Sequence, residues 1–171
     1  PHIEPGLYQT GTSPTGLPNY PNGCHICEVE IDEETGAVEI VRYTVVDDVG
    51  TVVNPLLLKG QIQGGIVQGA GQALMEDFSL DADSGQVIAG SFMDYCMPRA
   101  ADFCSFNIGN KEVPTPTNPL GVKGAGEAGT VGALSAVMSA VDDALEPLGA
   151  DFIDMPATSN KVWDAIRSAR S

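Results

Sequence analysis

Basic residues are scarce in this sequence of 171 residues. It has 8 Lys and Arg against 23 Asp and Glu, which gives a net charge of -15 at pH 7. So acidic a surface repels phosphate groups and therefore disfavours nucleic acids and anionic membranes as partners. No apolar run approaches the ~18 residues of a membrane-spanning helix, and no basic stretch followed by an apolar stretch marks a signal peptide. These absences favour a globular protein of the cytoplasm.

Cysteine and histidine are also scarce, with four and two residues. Four cysteines are too few for a disulfide-built scaffold at this length. Cys24 and Cys27 flank His25 with the C-x-x-C spacing of a metal or redox pair, but Cys96 and Cys104 do not repeat that spacing. Residues three apart face opposite sides of a strand. We therefore expect structural cysteines and no metal ligands.

Alternation of polar and apolar residues predicts a β-hairpin near the start of the chain. It follows an extended segment at 1–23, and its strands cover 25–31 and 37–46 with an acidic turn at 32–36 that ends in glycine. A weaker hairpin is predicted around the turn 83–85, and a further strand at 103–109.

Helical periodicity predicts three helices. Asn54 suits an N-cap and Pro55 the first helical position, so a helix is expected over 55–76. A second is expected over 129–147 and a third from Thr158. Strands and helices together predict an α+β fold in one domain.

The first of these helices contains an unusual number of glycines. Each interior glycine costs about 0.5–1 kcal/mol relative to alanine. We therefore expect another backbone or a ligand to approach the helix closely. The five glycines are Gly60, Gly64, Gly65, Gly69 and Gly71.

The strongest chemical signal is a second glycine-rich segment, 120–132, in which five glycines surround the carboxylate of Glu127. A carboxylate at the start of a helix can act as a general base or merely cap the helix. Residues 124–129 also match G-x-G-x-x-G, which favours a dinucleotide site only if a strand precedes it. Three prolines at 114–119 occupy the place of that strand.

Several segments, in this order along the chain, resemble the large subunits of molybdenum hydroxylases, the family of xanthine dehydrogenase, aldehyde oxidase and carbon monoxide dehydrogenase. The most specific are the glutamate loop 118–130 (NPLGVKGAGEAGT) and the helix 60–74 (GQIQGGIVQGAGQAL). Supporting segments lie at 20–25, 47–55 and 93–98. The resemblance covers about residues 17–168, which is nearly the whole chain.

This resemblance implies that residues 1–171 form the C-terminal portion of the second molybdenum cofactor-binding domain. It implies a molybdopterin cofactor, commonly the cytosine dinucleotide in bacteria, with copper added in the carbon monoxide branch. It also implies [2Fe–2S] and FAD on partner subunits or domains. Glu127 matches the family's general base, and Gln61 matches a helix glutamine that hydrogen-bonds the cofactor, with an interhelical hydrogen bond as the alternative.

Gly124 and Gly126 would line the same site through their backbone, whereas Lys123 would contact the cofactor or be solvated. The chain alone would hold half of such a site and is expected to be inactive in isolation. The substrate could be an aldehyde, an N-heterocycle or carbon monoxide. A nucleotide- or phosphate-binding module and a non-catalytic assembly module are the alternative functions.

Overall fold

The computed structural model describes residues 6, 8, 10–12 and 17–171. The predicted extended segment at 1–23 falls partly outside these ranges; residues 17–21 belong to no helix or strand. Strands β1, β2 and β3 span Asn22–Ile31, Val38–Asp48 and Asn107–Asn110. Helices α1, α2 and α3 span Pro55–Leu74, Ala128–Leu145 and Ser159–Ala169. The predicted α+β fold is confirmed.

The first hairpin contains a bulge that the sequence did not indicate. β1 and β2 pair antiparallel, with Val29 opposite Ile40 but Glu28 opposite Arg42, so Val41 has no partner in β1. Ile40 and Tyr43 are consequently both buried although they are three residues apart. The turn is as predicted and ends at Gly36, whose φ of +71° favours glycine.

The sheet in the described part of the chain has the order β1-β2-β3, and β3 pairs parallel to β2. The predicted strand at 103–109 is therefore confirmed in a shorter and shifted form. The predicted second hairpin is reduced to a single bridge between Leu80 and Val87. Exposed turns flank this bridge, so little apolar burial is available to extend it.

Helix α1 begins as predicted, since the Asn54 side chain accepts hydrogen bonds from two backbone N–H groups of the first turn. Its glycines bring it close to α2. A methyl group on Gly65 would lie 2.9 Å from Thr130 N, and one on Gly69 would lie 2.8 Å from Ala133 Cβ. Gly60 and Gly64 meet nothing within 4 Å. A methyl group on Gly71, on another face of α1, would lie 2.6 Å from Pro98 Cγ, so the close approach expected from the glycines is real at three of the five.

Helix α2 packs on both α1 and β1, and its buried residues form one core with α1, β2 and α3. α3 buries Val162 and Ile166, as its periodicity predicted. The Thr158 side chain makes no capping hydrogen bond, so only its position agrees with the prediction. None of the helices in the described ranges has the length and hydropathy needed to cross a membrane.

Candidate active site

The part of the glutamate loop that precedes α2, residues 118–127, runs beside the end of β2 and is fixed there by backbone hydrogen bonds. Lys123 N donates to Val49 O at 2.8 Å, and Thr51 N donates to Gly121 O at 3.0 Å. Gly50 has a φ of +67°, and any side chain there would collide with Gly121 O. Residues 111–127 are all described and contain no strand. The dinucleotide motif at 124–129 therefore lacks the strand that it requires.

Asp48 connects three segments around this loop. Its Oδ1 accepts hydrogen bonds from Gly50 N (2.8 Å) and Val113 N (3.0 Å), and its Oδ2 accepts one from Lys123 Nζ (2.5 Å). Burial by itself would raise the pKa of Asp48, but the hydrogen bonds from Lys123, Gly50 and Val113 and the Lys123 charge outweigh it and lower the pKa below its ordinary value. The Lys123 side chain is 10% exposed, so it is paired with Asp48 rather than solvated.

Glu127 occupies the N-cap position of α2 without capping the helix. Its carbonyl accepts the Val131 N–H at 3.0 Å, but its side chain makes no capping hydrogen bond and has no partner among the described residues. The residue is exposed and lines a cleft of about 260 Å³. The Glu127 side chain therefore does not cap the helix, which was the alternative to its action as a general base. Its oxygens remain available to a ligand.

Gln61 lies next to the glutamate loop and contacts it directly. Its Nε2 donates to Gly126 O at 2.8 Å, which joins α1 to the residue just before Glu127. The bond runs from helix to loop, so it differs from the interhelical bond that was the alternative for this glutamine. Gln61 also lines a second cleft of about 370 Å³, together with Lys123, Val49 and residues 51–54.

Gly124 and Gly126 are both exposed, and a methyl group on either would meet nothing within 4 Å. Neither lines the two clefts beside the loop. Their backbone is therefore open to a large group from outside the described residues. The structure thus brings Gln61, Gly126 and Glu127 together and leaves Gly124 accessible on the same loop.

Sequence reasoning missed a largely buried polar network, two members of which, His25 and Asp47, line the Glu127 cleft. His25 Nδ1 lies 2.7 Å from the Tyr43 hydroxyl, and His25 Nε2 lies 3.4 Å from Asp47 Oδ1. The side chains of His25 and Asp47 are 6% and 3% exposed, and Tyr43 is fully buried. His25 is the first inward-facing residue of β1, a position at which the pattern favours an apolar residue.

The cysteines are free thiols, and Cys24 and Cys27 differ in burial as expected from their spacing. Burial, followed by the proximity of Cys104 and Glu28, raises the pKa of Cys27 to about 12. Within the described ranges, no three His, Cys, Asp or Glu side chains converge in a way that could hold a metal ion.

Comparison with known proteins identifies the family. The model of the molybdopterin cofactor-binding domain matches residues 3–104, more than half of the chain. The chain belongs to this family. The molybdopterin cofactor-binding domain also accounts for the α+β arrangement, because solved structures of its relatives superpose on this chain.

Its relatives are subunits of molybdenum-dependent oxidoreductases. The nicotine 6-hydroxylase large subunit of Paenarthrobacter nicotinovorans is 41% identical over 165 residues, covering 96% of this chain and 20% of that protein. The carbon monoxide dehydrogenase large chain of Hydrogenophaga pseudoflava is 34% identical over 165 residues, with the same coverage. Carbon monoxide dehydrogenase from Oligotropha carboxidovorans superposes with a TM-score of 0.83 at 32% identity, covering 88% of this chain and 18% of that one. The chain thus spans about a fifth of the length of these relatives.

The exposed groups of the loop fit a molybdopterin cofactor. The first N–H groups of α2 lack intrahelical acceptors and favour an anionic group such as a phosphate. The open backbone of Gly124 and Gly126 admits a large planar group without steric conflict. A cofactor that carries its own sulfur ligands does not require a protein ligand set for the metal.

Proposed function

We propose that this chain is the C-terminal portion of the cofactor-binding region of a molybdenum hydroxylase large subunit, in which Glu127 is the general base. The enzyme would oxidise a small substrate with oxygen derived from water. The observation that carries the proposal is the state of the Glu127 side chain. It is unpaired within the described residues and faces a cleft, while its backbone is held by neighbouring elements.

When bound, the cofactor would supply Lewis acidity and an acceptor for two electrons. Residues of this chain would accept the proton and hold the cofactor in place. Glu127 would receive a proton on a carboxylate oxygen, and the same oxygen could release it towards the cleft. Gln61 would hold Gly126 through Nε2 and leave Oε1 for the cofactor. The backbone of Gly124 and Gly126 would pack against it.

An exposed apolar surface beside this site supports the proposal that the rest of a large subunit packs there. Exposed apolar side chains lie at the start of α1 and on the glutamate loop, where a soluble surface would normally be polar. They are Val53, Leu56, Leu57 and Leu120. We propose that the rest of the large subunit covers them and completes the cofactor site. Iron–sulfur and FAD subunits would then carry the electrons away, in the cytoplasm.

The substrate would be an aldehyde, an N-heterocycle or carbon monoxide. The relatives named above act on nicotine and on carbon monoxide. The first N–H groups of α2 would suit a phosphate of a nucleotide as well as one of the cofactor, but the family favours the cofactor. No observation on the cleft favours an assembly module.

The proposal is tested by Glu127→Gln in the large subunit that carries this chain, purified with its companion subunits. The amide keeps the size of the side chain but cannot accept the proton, so we expect kcat to fall by about 10²–10⁴ while molybdenum content is unchanged. Glu146→Gln, an exposed glutamate beyond the end of α2, is the matched control and should retain full activity. A fully active Glu127→Gln enzyme, or a wild-type complex without molybdenum, would refute the proposal.

A further inference from the structure

The position of Glu127 depends on the backbone beneath it. Its carboxylate has no partner among the described residues, so no side-chain contact fixes it within this chain. The backbone of Glu127 is held by the first part of α2, which begins at the next residue. The contacts of residues 128–132 therefore decide where the carboxylate lies.

Two adjacent faces of this part of α2 are in close contact with other elements. On one face, a methyl group on Gly129 would lie 2.5 Å from Ile62 O and 3.0 Å from Gly65 Cα, which places α1 directly against the helix. On the other face, a methyl group on Gly132 would lie 2.5 Å from Cγ and 2.6 Å from Nε2 of His25. The helix backbone thus rests on the imidazole ring.

The His25 ring is itself fixed by buried neighbours. Tyr43 lies edge-on to it, with ring centroids 5.8 Å apart and planes at 85°, and its hydroxyl lies 2.7 Å from Nδ1. Burial above all, with the nearby Cys27 and Asp47, raises the pKa of Tyr43, so its hydroxyl stays protonated and donates to Nδ1 in the tautomer that carries the ring proton on Nε2. Asp47 lies beside Nε2, and its carboxylate packs against the backbone of Gly23. Any side chain on Gly23 would collide with this carboxylate.

We propose that His25 is a positioning residue for Glu127. Tyr43 and Asp47 hold the His25 ring, and the ring determines how closely α2 approaches β1 at Gly132. The position of α2 in turn determines the position of Glu127, which immediately precedes the helix. The proposal rests on the function proposed above. It assigns a role to an imidazole that makes no described hydrogen bond to the glutamate loop or to Glu127.

The contact between His25 and Gly132 can be tested by a double-mutant cycle in the full large subunit with its companion subunits. An ordinary carbon contact is at least 3.4 Å, so Gly132→Ala must displace α2 or the ring by about 1 Å. A misplacement of this size costs about 10² in rate. We expect Gly132→Ala to lower kcat by that factor with KM and molybdenum content unchanged.

Removal of the ring should relieve the clash. The double variant His25→Ala/Gly132→Ala is expected to have a kcat at least ~10-fold above that of Gly132→Ala, because the new methyl group then occupies space left by the ring. Ser139→Ala, two turns further along α2 and exposed, is the control and should leave kcat unchanged. A double variant with no higher kcat than Gly132→Ala would overturn the proposal.

Tyr43→Phe provides a milder variant in case Gly132→Ala does not fold. It keeps the aromatic packing and removes only the hydroxyl that orients His25. We expect faster hydrogen exchange of the amides at the start of α2, unchanged exchange in α3, and a several-fold lower kcat. The exchange measurement does not depend on turnover.

The outcomes separate the two proposals. Full activity of Glu127→Gln would refute the general base, and the positioning role would fail with it. Loss of activity in Glu127→Gln, with unchanged kcat and unchanged α2 exchange in Tyr43→Phe and His25→Ala, would refute only the positioning role.

Discussion

Gly64 and Gly65 are adjacent in α1, but their replacement by alanine should have opposite effects on stability. A methyl group on Gly64 meets nothing within 4 Å, whereas one on Gly65 would lie 2.9 Å from Thr130 N and 3.0 Å from Gly129 Cα. Both replacements gain the same helix propensity, about 1 kcal/mol. Overpacking costs about 1–3 kcal/mol, and we expect the upper half of that range because backbone atoms of α2 cannot rotate away.

The difference between the two variants therefore isolates the packing cost, at about 2–3 kcal/mol. For a chain of this size, 1 kcal/mol corresponds to roughly 2–4 °C in Tm. We expect Gly64→Ala to melt about 4–12 °C above Gly65→Ala, with wild type between them, in thermal unfolding followed by circular dichroism. Equal Tm values for the two variants would show that α1 and α2 are not in backbone contact at Gly65.

Two further predictions concern ionisable groups. The pKa of Asp48 is lower in the folded than in the unfolded state, so its contribution to stability is fully present above the unfolded value of about 3.9 and is lost as the pH falls through the folded value. The Tm difference between wild type and Asp48→Asn should therefore shrink below about pH 4, and a difference constant from pH 3 to 7 would contradict the pairing with Lys123. The Cys27 thiol, whose pKa burial raises to about 12, should resist iodoacetamide at pH 8 while the exposed Cys24 and Cys96 are alkylated. Mass spectrometry of the alkylated peptides measures this, and equal rates at all three sites would be inconsistent with the buried position of Cys27.

Elements with strong local signals were predictable from the sequence. Asn54 and Pro55 fixed the start of α1 because capping depends on neighbouring residues only. The turn that ends at Gly36 was predictable for the same reason. The hairpin around 83–85 was predicted from equally local signals, yet it forms only one bridge because its stability depends on burial that it does not have.

The His25 network could not be predicted, because it depends on the bulge at Val41. Continuing the pairing of Val29 with Ile40 without a bulge would place Thr44 opposite His25. The bulge moves the register by one residue and places Val45 there instead, so that Tyr43 and Asp47 share the face of His25. The irregular alternation of polar and apolar residues in β2 thus reflects the bulge that brings the network together.

The candidate site around Glu127 and Gln61 could be predicted from the sequence only in part. The glycines around Glu127 and the helical face of Gln61 were visible in the sequence, and the structure brings the two segments together through Gly126. That the Glu127 side chain leaves the helix N-terminus uncapped could not be inferred, since a carboxylate at that position can also be stabilised by the free N–H groups of the helix.

The contacts of Asp48 also have a consequence for how the chain folds. The carboxylate joins residues separated by 65 and 75 positions in the sequence. Closing a loop of that length costs on the order of 4 kcal/mol of chain entropy before the contact itself contributes. That cost is smaller once the first hairpin and the segment around Val113 are already together, so we expect the glutamate loop to become ordered after them. A chain still growing on the ribosome would present a finished hairpin long before it could hold Glu127 in place.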